Sequence, residues 1–465
     1  MNNEYKLERI FEKIDSTLLK KKIDFSALDD CSINLDSSKK NQIIFYKNHN
    51  DEKSLNLLHA RLSSANPGLI IFTNRPKIKV KYSFIVVSEK KFLLIQRKIL
   101  EILFPISRFP KVFAITGTNG KTTTAFLLMQ LLEQVGKSAG FVGTTGLYIR
   151  NKKVDHDFTT TSPGLIDFWK INQKYNDLKF LCVEASSHAL EQERFFGFEF
   201  EHVAFTNITR DHLDYHKTFD SYFEAKKKIL KYLTESGHCF VLDSEEEIYQ
   251  KLDDSRCRKV SKMEQDHLPE FFKVEFNKKN LALALAILEA SLGDRFNFDF
   301  NNLVPPDGRL DLVSFGDGNL GVVDFAHTPD AIENVLSEVK NGYPNHKVRV
   351  VFGCGGNRDK KKRELMGEIV SALSDEFIIT NDNPRDEEPD LIIEDILIGV
   401  LKGSRFQVEM DRKKAIQISV DKMMKDEILL ILGKGHEDYQ LVKGNKTSFS
   451  DKKILIESIK DKKCI

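Results

Sequence analysis

Gly117-Thr118-Asn119-Gly120-Lys121-Thr122-Thr123-Thr124 follows the apolar run Val112–Thr116 and opens a stretch with helical periodicity, TTTAFLLMQLLEQVGK. The order is strand, turn, helix. Glycines let a backbone wrap closely around phosphate oxygens. Loop N–H groups and a helix N-terminus add positive potential. Lys121 is placed to reach the outer phosphates, and the Thr122 hydroxyl to ligate Mg2+. The usual phosphate loop opens with an earlier glycine, where this chain has Ile115, so the loop is a variant. Such a loop does not choose between kinase, GTPase, motor and ligase. No GxGxxG follows a strand, which argues against a nicotinamide enzyme.

Two further segments could hold a cation. Glu184 ends the apolar run FLCV and begins EASSHAL. A carboxylate at a strand end is a suitable ligand for a hard cation. The second segment, FTNITRDHLDYH, gathers Asp211, His212, Asp214 and His216. Alone, such a cluster reads more readily as a hydrogen-bonded polar turn than as a metal site. His188 reads as a structural histidine.

These groups need a scaffold. The chain has 465 residues, which at roughly 150 residues per domain gives about three domains. Residues 1–105 carry short apolar runs (QIIF, GLIIF, SFIVV) and read as a small α/β module. FPISRFPK marks a linker at Phe104–Lys111. Residues 106–303 alternate short apolar runs with helical stretches, the pattern of a parallel sheet covered by helices. VPPDG breaks that pattern, and 304–465 resumes it with GVVDF, KVRVVFG, DEFIIT and EILLILG. The last three end in CGGNRD, NDNPRDEEP and GKGHEDYQ. Ligands of open α/β sheets sit outside the carboxyl ends of strands, so these loops predict one composite site.

Lys+Arg number 70 and Asp+Glu 69, a net charge of +1. That balance points to no nucleic acid and no membrane surface. Lys360–Lys362 reads as a solvated face. Six cysteines (Cys31, Cys182, Cys239, Cys257, Cys354 and Cys464) form no CxxC pair. The amino terminus lacks the apolar core of a signal peptide. No apolar run approaches the ~18–20 residues that span a bilayer. The expectation is a cytoplasmic protein with reduced thiols and no membrane insertion.

GTNGKTTT, EASSHAL, FTNITRDHLDYH, DFAHTPD, GCGGNRDK, DNPRDEEP and GKGHEDYQ together resemble the motifs of the Mur ligases, in family order from about Val112 to Ser450. The resemblance is strongest to the members that add diaminopimelate. It implies a three-domain α/β architecture with a central phosphate-loop ATPase domain and a C-terminal Rossmann-like domain. The domains would be 1–105 for the uridine-nucleotide substrate, 106–303 for ATP and 304–465 for the amino acid. The first hundred residues match poorly. Where the family shows Asp-Ser-Arg, this chain has Asp36-Ser37-Ser38, without the arginine.

The resemblance further implies ATP and Mg2+ as cofactors. Gly117, Thr118, Asn119, Gly120, Lys121, Thr122, Thr123, Asn280, Arg309 and Asp324 would contact ATP. Thr122, Glu184 and His212 would ligate Mg2+, joined by Lys226 as a carbamate. Lys121, Glu184, His212 and Lys226 would form the catalytic set. Ser38, Thr160, Thr161, Ser186, Arg194 and His327 would meet the UDP-muramoyl peptide. Arg358, Asn383, Pro384, Arg385, Gly433 and Glu437 would hold the amino acid. The implied substrates are UDP-N-acetylmuramoyl-L-alanyl-D-glutamate and meso-diaminopimelate, and the expectation is a monomer.

Charge considerations support a ligase. A carboxylate does not react with an amine near neutral pH, because oxide would have to leave. Phosphorylation makes an acyl phosphate, from which phosphate leaves. Both steps gather negative oxygens, which Mg2+, Lys121 and loop N–H groups can stabilise. Diaminopimelate differs from lysine by one distal carboxylate, and the fork of Arg385 can hold both its oxygens. The other reading of Arg385 pairs it with Asp386, Glu387 or Glu388. The alternatives are an L-lysine-adding ligase, a folylpolyglutamate synthase, a phosphate-loop kinase and a regulatory nucleotide-binding protein.

Overall fold

The computed structural model describes residues 3–14, 24–156, 160–263, 268–293, 296–316 and 318–463. It divides into two compact units. One contains Met1–Lys111, Asp157–Lys179 and His188–Glu199, and the other Val112–His156, Phe180–Ser187 and Phe200–Ile465.

In the first unit four parallel strands lie side by side in chain order: Asp30–Ser32, Gln42–Tyr46, Leu69–Phe72 and Phe84–Val86. Leu69–Phe72 is buried throughout, as parallel strands covered on both faces require. The helix Glu52–Ser64 lies against them through Leu58 and Leu62, and Asp51 caps its first turn by accepting from Ser54 N. The described segments 160–179 and 188–199 come from the middle of the sequence. Their aromatic side chains explain where they pack: Phe109 meets Trp169 and Phe198 edge-on, at 5.1 and 5.3 Å between ring centroids.

The second unit holds two large sheets. From edge to edge the first runs Cys257–Val260, Leu233–Leu242, Phe200–Phe205, Lys111–Thr116, Phe180–Glu184, Ala139–Gly143, Gly146–Ile149 and Lys152–Val154. The last two strands are an antiparallel addition that the sequence pattern did not signal. Lys111–Thr116 lies at the centre, with its neighbours drawn from later in the chain on both sides. This is the switch point at which open sheets bind ligands. The helix Lys121–Gln134 follows it and is buried from Thr122 to Leu132, between the sheet and the helix Glu275–Leu292.

The second sheet runs Asp311–Gly316, Asn319–Asp324, Glu427–Leu432, Lys347–Phe352, Glu376–Ile379 and Phe406–Val408. Only its first pair is antiparallel. Every residue of Glu427–Leu432 is buried, which is why it reads as an unbroken apolar run. The helix Pro329–Gly342 packs against Glu275–Leu292, so the two sheets share a continuous apolar core. The hairpin Tyr439–Val442 with Asn445–Ser448 stands beside the last loops.

Candidate functional site

Gly120 caps the helix Lys121–Gln134 with φ +84°, and Gly117 has φ +142°. A side chain at either would strike a neighbour: its Cβ would lie 1.9 Å from Thr206 Oγ1 at Gly117 and 2.4 Å from Asn280 Oδ1 at Gly120. The loop rests on the strand-end segment 206–209. Thr118 N donates to Asn207 O (3.0 Å), Asn119 N to Asn207 Oδ1 (2.9 Å) and Thr209 N to Thr118 Oγ1 (2.9 Å). Asn280 is packed beneath the loop, accepting from Thr124 Oγ1 at 3.2 Å. Thr122 and Thr123 are buried in the first turn.

Two ammonium groups converge on one carbonyl. Lys121 Nζ donates to Gly117 O (3.0 Å) and Thr118 O (2.7 Å), and Lys226 Nζ donates to Gly117 O (2.6 Å). Lys226 is 1% exposed and stands 4.5 Å above the Tyr222 ring. Burial, and then the Lys121 charge, push the Lys226 ammonium well below its ordinary range, while Asp211 opposes the shift. Burial also lowers Lys121, with Glu184 and Asp211 holding it up. Tyr222 links Lys226 to the acidic cluster: its hydroxyl is 3.1 Å from Thr118 Oγ1, and its ring lies 6.3 Å from that of His212. His212 has φ +52°, with Nε2 3.4 Å from Asp211 Oδ2. His216 Nε2 lies 3.0 Å from Ser187 Oγ.

Glu184 is fully buried and accepts from Thr144 N (2.7 Å) and Thr144 Oγ1 (3.0 Å). Among the described residues no three His, Cys, Asp or Glu side chains cluster as a metal site. Mg2+ does not require such a cage. It takes one or two carboxylates and keeps waters and phosphate oxygens as its other ligands. Glu184 and the Thr122 hydroxyl beside a phosphate loop fit that habit.

Arg309, Asp324 and His436 meet at the entry to the second sheet. Arg309 lies 4.7 Å over the Phe325 ring, and its buried Nε has no hydrogen-bond partner. Asp324 accepts from Leu310 N and Ala326 N, both at 2.7 Å, and burial raises its carboxyl above the ordinary range. His436 packs 5.1 Å from Phe325, and its Nδ1 is also buried without a partner. Burial, then Arg309 and Lys153, push its imidazole down to about 3. The orphaned Nε of Arg309 is the kind of group that awaits an anion. His327 is exposed, with Nδ1 donating to Phe325 O (2.7 Å).

Asp330 joins the halves of the site. Its Oδ2 accepts from Asn119 Nδ2 (3.0 Å) in the phosphate loop and from Thr209 Oγ1 (2.9 Å).

The three terminal loops do meet. Asn383 Nδ2 donates to Glu437 Oε2 (2.8 Å), and Asn383 Oδ1 accepts from Lys434 Nζ (3.0 Å) and Leu441 N (2.9 Å). Lys434 is fully buried and lies 3.3 Å from Glu437. Gly433 has φ +114°, and a Cβ there would lie 2.6 Å from Asp382 Oδ2. The Arg385 backbone, at φ +54°, is tied to the hairpin: its N donates to Leu441 O (3.0 Å), and its O accepts from Lys443 N (2.6 Å). Arg385 Nη1 donates to Gly356 O (2.7 Å) and Asn383 O (3.4 Å). The three acids that follow it pair elsewhere. Asp386 accepts from Asn357 Nδ2 (2.7 Å), Glu387 from Arg363 (2.9 Å to each oxygen), and Glu388 lies 2.8 Å from Lys443. Pro384 is buried, while Arg358 is exposed, with Cγ 3.8 Å from where a Gly355 Cβ would stand.

In the first unit Thr160 Oγ1 and Arg194 Nη1 both donate to Ser162 O, each at 2.7 Å, and Thr161 lies between them in sequence. Ser38 is buried. Its hydroxyl donates to Leu35 O (2.6 Å) and accepts from Asn66 N (3.0 Å). Ser186, in the second unit, follows Ala185, whose carbonyl accepts from Thr116 Oγ1 (2.8 Å).

Sequence reasoning missed Thr144, Asp330, Arg363, Lys434 and His436. Lys434 and His436 stand in the GKGHE loop after an all-apolar strand, which was a usable signal. Arg363 also had one. With Met366, Gly367 and Val370 it forms a buried helix face at three- and four-residue spacing. Asp330 closes the motif DFAHTPD, which was a usable signal as well, whereas nothing local marks Thr144.

Residues 115–296 match the Mur ligase middle domain, and residues 308–435 match the Mur ligase, glutamate ligase domain. A UDP-N-acetylmuramoyl-L-alanyl-D-glutamate--2,6-diaminopimelate ligase of Clostridium perfringens is 38% identical over 387 residues, covering 76% of this chain and 79% of that protein. One from Aquifex aeolicus is 36% identical over 391 residues, covering 76% and 78%. A solved structure of a ligase of that name superposes with a TM-score of 0.56 at 26% identity, over 94% of this chain and 95% of that one. A MurF ligase from Thermotoga maritima in complex with ADP shares the fold, with a TM-score of 0.58 at 15% identity over 94% of this chain and 98% of that one.

Proposed function

The chain belongs to the Mur ligase family, and we propose that it adds meso-diaminopimelate to UDP-N-acetylmuramoyl-L-alanyl-D-glutamate, driven by ATP, in cytoplasmic peptidoglycan precursor synthesis. The carrying observation is the Arg385 guanidinium. Three carboxylates follow it in sequence, yet among the described residues its side-chain hydrogen bonds go to carbonyl oxygens, and it is in no ion pair. A buried or half-buried cation left without a counter-ion is suited to a substrate carboxylate, and lysine lacks that group.

On this reading residues 1–105, 106–303 and 304–465 serve the nucleotide-linked acid, ATP and the amino acid in turn. The γ-phosphoryl group passes to the substrate carboxylate, and ADP leaves. The amine then attacks the carbonyl carbon, and phosphate departs. Lys121 turns from the Gly117 and Thr118 carbonyls to the phosphate oxygens, and the loop N–H groups stay aimed at them. Arg309 and Asp324 border the nucleotide. Thr122, Glu184, His212 and Lys226 as a carbamate would hold Mg2+, which supplies charge neutralisation at the transferring phosphoryl group. The depressed basicity of Lys226 supports the carbamate, because only a neutral amine takes up carbon dioxide. Asn383 and Glu437 hold the ammonium end of the amino acid. By the motif resemblance, Thr160, Thr161, Ser186, Arg194, His327 and Ser38 would each contact the muramoyl peptide.

The test is phosphate release and product formation with each amino acid, for wild type and Arg385→Ala. Phosphate should appear only with both acid and amine present. Arg385→Ala should raise KM for diaminopimelate by roughly a hundredfold, the scale of a lost charge-assisted pair. Efficient lysine addition by the wild type, or unchanged diaminopimelate use by the variant, overturns the reading.

A further inference from the structure

A guanidinium meant for a substrate carboxylate faces a local hazard in the sequence Arg385-Asp386-Glu387-Glu388. Any of these acids, once free, could fold back and occupy it. Glu387 packs on Gly356, the residue whose carbonyl Arg385 holds. The Glu387 Cβ lies 3.3 Å from where a Gly356 Cβ would stand, and Arg385 Nη1 grips the Gly356 carbonyl at 2.7 Å. Arg363 Nη2, which holds Glu387 Oε1 at 2.9 Å, is also 3.3 Å from Gly355 O, so the Glu387 carboxylate and the Arg385 guanidinium border the same two glycines.

Folding back is prevented from one side. Arg363 is 1% exposed and donates to both oxygens of Glu387, Nη1 to Oε2 and Nη2 to Oε1, each at 2.9 Å. Asn357 N also donates to Oε1. Arg363 is anchored in turn by Asp395 Oδ2 (2.8 Å) and Gly355 O (3.3 Å). The bidentate geometry uses both carboxylate oxygens at once, which a lysine could not do. The grip holds the Glu387 carboxyl down at about 2, so the group stays an anion at any working pH. Left unclamped, it would be a permanent competitor.

We propose that Arg363 is a positioning residue for amino-acid recognition: by occupying both oxygens of Glu387 it keeps that carboxylate off Arg385 and leaves Arg385 open to the distal carboxylate of the incoming amino acid. Asn357 does the same for Asp386 on a smaller scale. The proposal rests on the reading of Arg385 given above.

The experiment is steady-state kinetics on full-length Arg363→Gln and on the double variant Arg363→Gln/Glu387→Gln. In the single variant KM for diaminopimelate should rise roughly tenfold, with KM for ATP and for the nucleotide-linked acid unchanged, as expected of an internal ion competing for one site. The double variant should recover most of that loss, because the freed side chain no longer carries charge. A role confined to stability predicts instead a lowered melting temperature with no effect selective for the KM of diaminopimelate, because an unpaired ion left by the single variant destabilises the fold as a whole. Absence of a selective KM effect, or failure of the second substitution to rescue it, overturns the proposal. Should Arg363→Gln not fold, Asn357→Gly is the second route. Asn357 has φ +53°, which glycine adopts freely. That variant should raise KM for diaminopimelate about threefold, with recovery in Asn357→Gly/Asp386→Asn, a weaker effect suited to an exposed pair. No rise, or no recovery, overturns the proposal here too. Arg385→Ala separates the two levels. If it leaves diaminopimelate use intact, the reading of Arg385 fails. If it abolishes that use while Arg363→Gln stays silent, only the clamp fails.

Discussion

The phosphate loop and the amino-acid loops handle charge in opposite ways. At the loop, two ammonium groups share the Gly117 carbonyl and are pushed towards neutrality by burial. Positive charge is concentrated there, hydrogen-bonded directly to carbonyl dipoles, with Glu184 and Asp211 acting on it through space. At the amino-acid loops, charges of both signs are dense, but they are paired off: Arg363 with Glu387 and Asp395, Lys434 with Glu437, and Lys443 with Glu388. Arg385 is in no ion pair among the described residues, and its guanidinium hydrogen-bonds to carbonyl oxygens instead. The first arrangement suits a polyanion that every reaction cycle brings. The second suits discrimination between amino acids that differ by a single group. Rate should therefore depend on the first region and selectivity on the second.

The largest expected effect tests the first half of that contrast. Lys121→Ala should lower kcat about a thousandfold, and Lys226→Ala by a hundredfold or more, on the scale of lost transition-state charge stabilisation. Neither should alter the ratio of diaminopimelate to lysine use. Near-normal turnover in Lys226→Ala, or a high-resolution map of active protein with a bare Lys226 amine, would remove the carbamate from the mechanism.

A middle-sized effect tests the second half. A Cβ at Gly355 would stand 2.8 Å from Arg385 Nη1, the mobile end of a flexible side chain. Gly355→Ala should thus cost under about 1 kcal/mol of stability. It should raise KM for diaminopimelate roughly tenfold by displacing the fork. A fall in kcat with KM unchanged would place Gly355 with the phosphate machinery instead.

The smallest effect concerns His436, which lies between the regions. Its imidazole falls from 6.5 to about 3 in the fold. The unfolded chain therefore binds more protons across that window. Stability should rise with pH from about 3 to about 6.5, and fall as acid is added. Urea midpoints followed from about pH 4 to pH 8 should show a shallower slope for His436→Gln. An unchanged slope would mean that the imidazole already carries its proton in the fold.

The sequence made the first region plain, because a phosphate loop is local. Thr116 to Thr124 supply the turn, the cap and the cation within one strand–turn–helix, and the fold repeats that order. The sheet strands were equally legible where burial on both faces gives unbroken apolar runs, as in Glu427–Leu432. The antiparallel pair Gly146–Ile149 and Lys152–Val154 was not, since three or four residues carry little periodicity. Arg363 shows why the second region was harder to read. It ends a run of lysines that looks like a solvated face, yet it is among the most deeply buried side chains. Its purpose lies in Glu387 and Asp395, far along the chain, and only folding brings them together.

The phosphate loop also limits what evolution can do with this chain. Gly117 and Gly120 are fixed twice, by torsion angle and by the atoms of Thr206 and Asn280 that fill the place of a side chain. Gly136 and Gly293 share the positive φ but have nothing within 4 Å. In a library of random substitutions the first pair should come back empty, while the second pair accepts asparagine, the residue that best tolerates that torsion. Drift can therefore rework the turns that end the helices Lys121–Gln134 and Glu275–Leu292, but the loop itself can change only by simultaneous replacement of the residues packed against it.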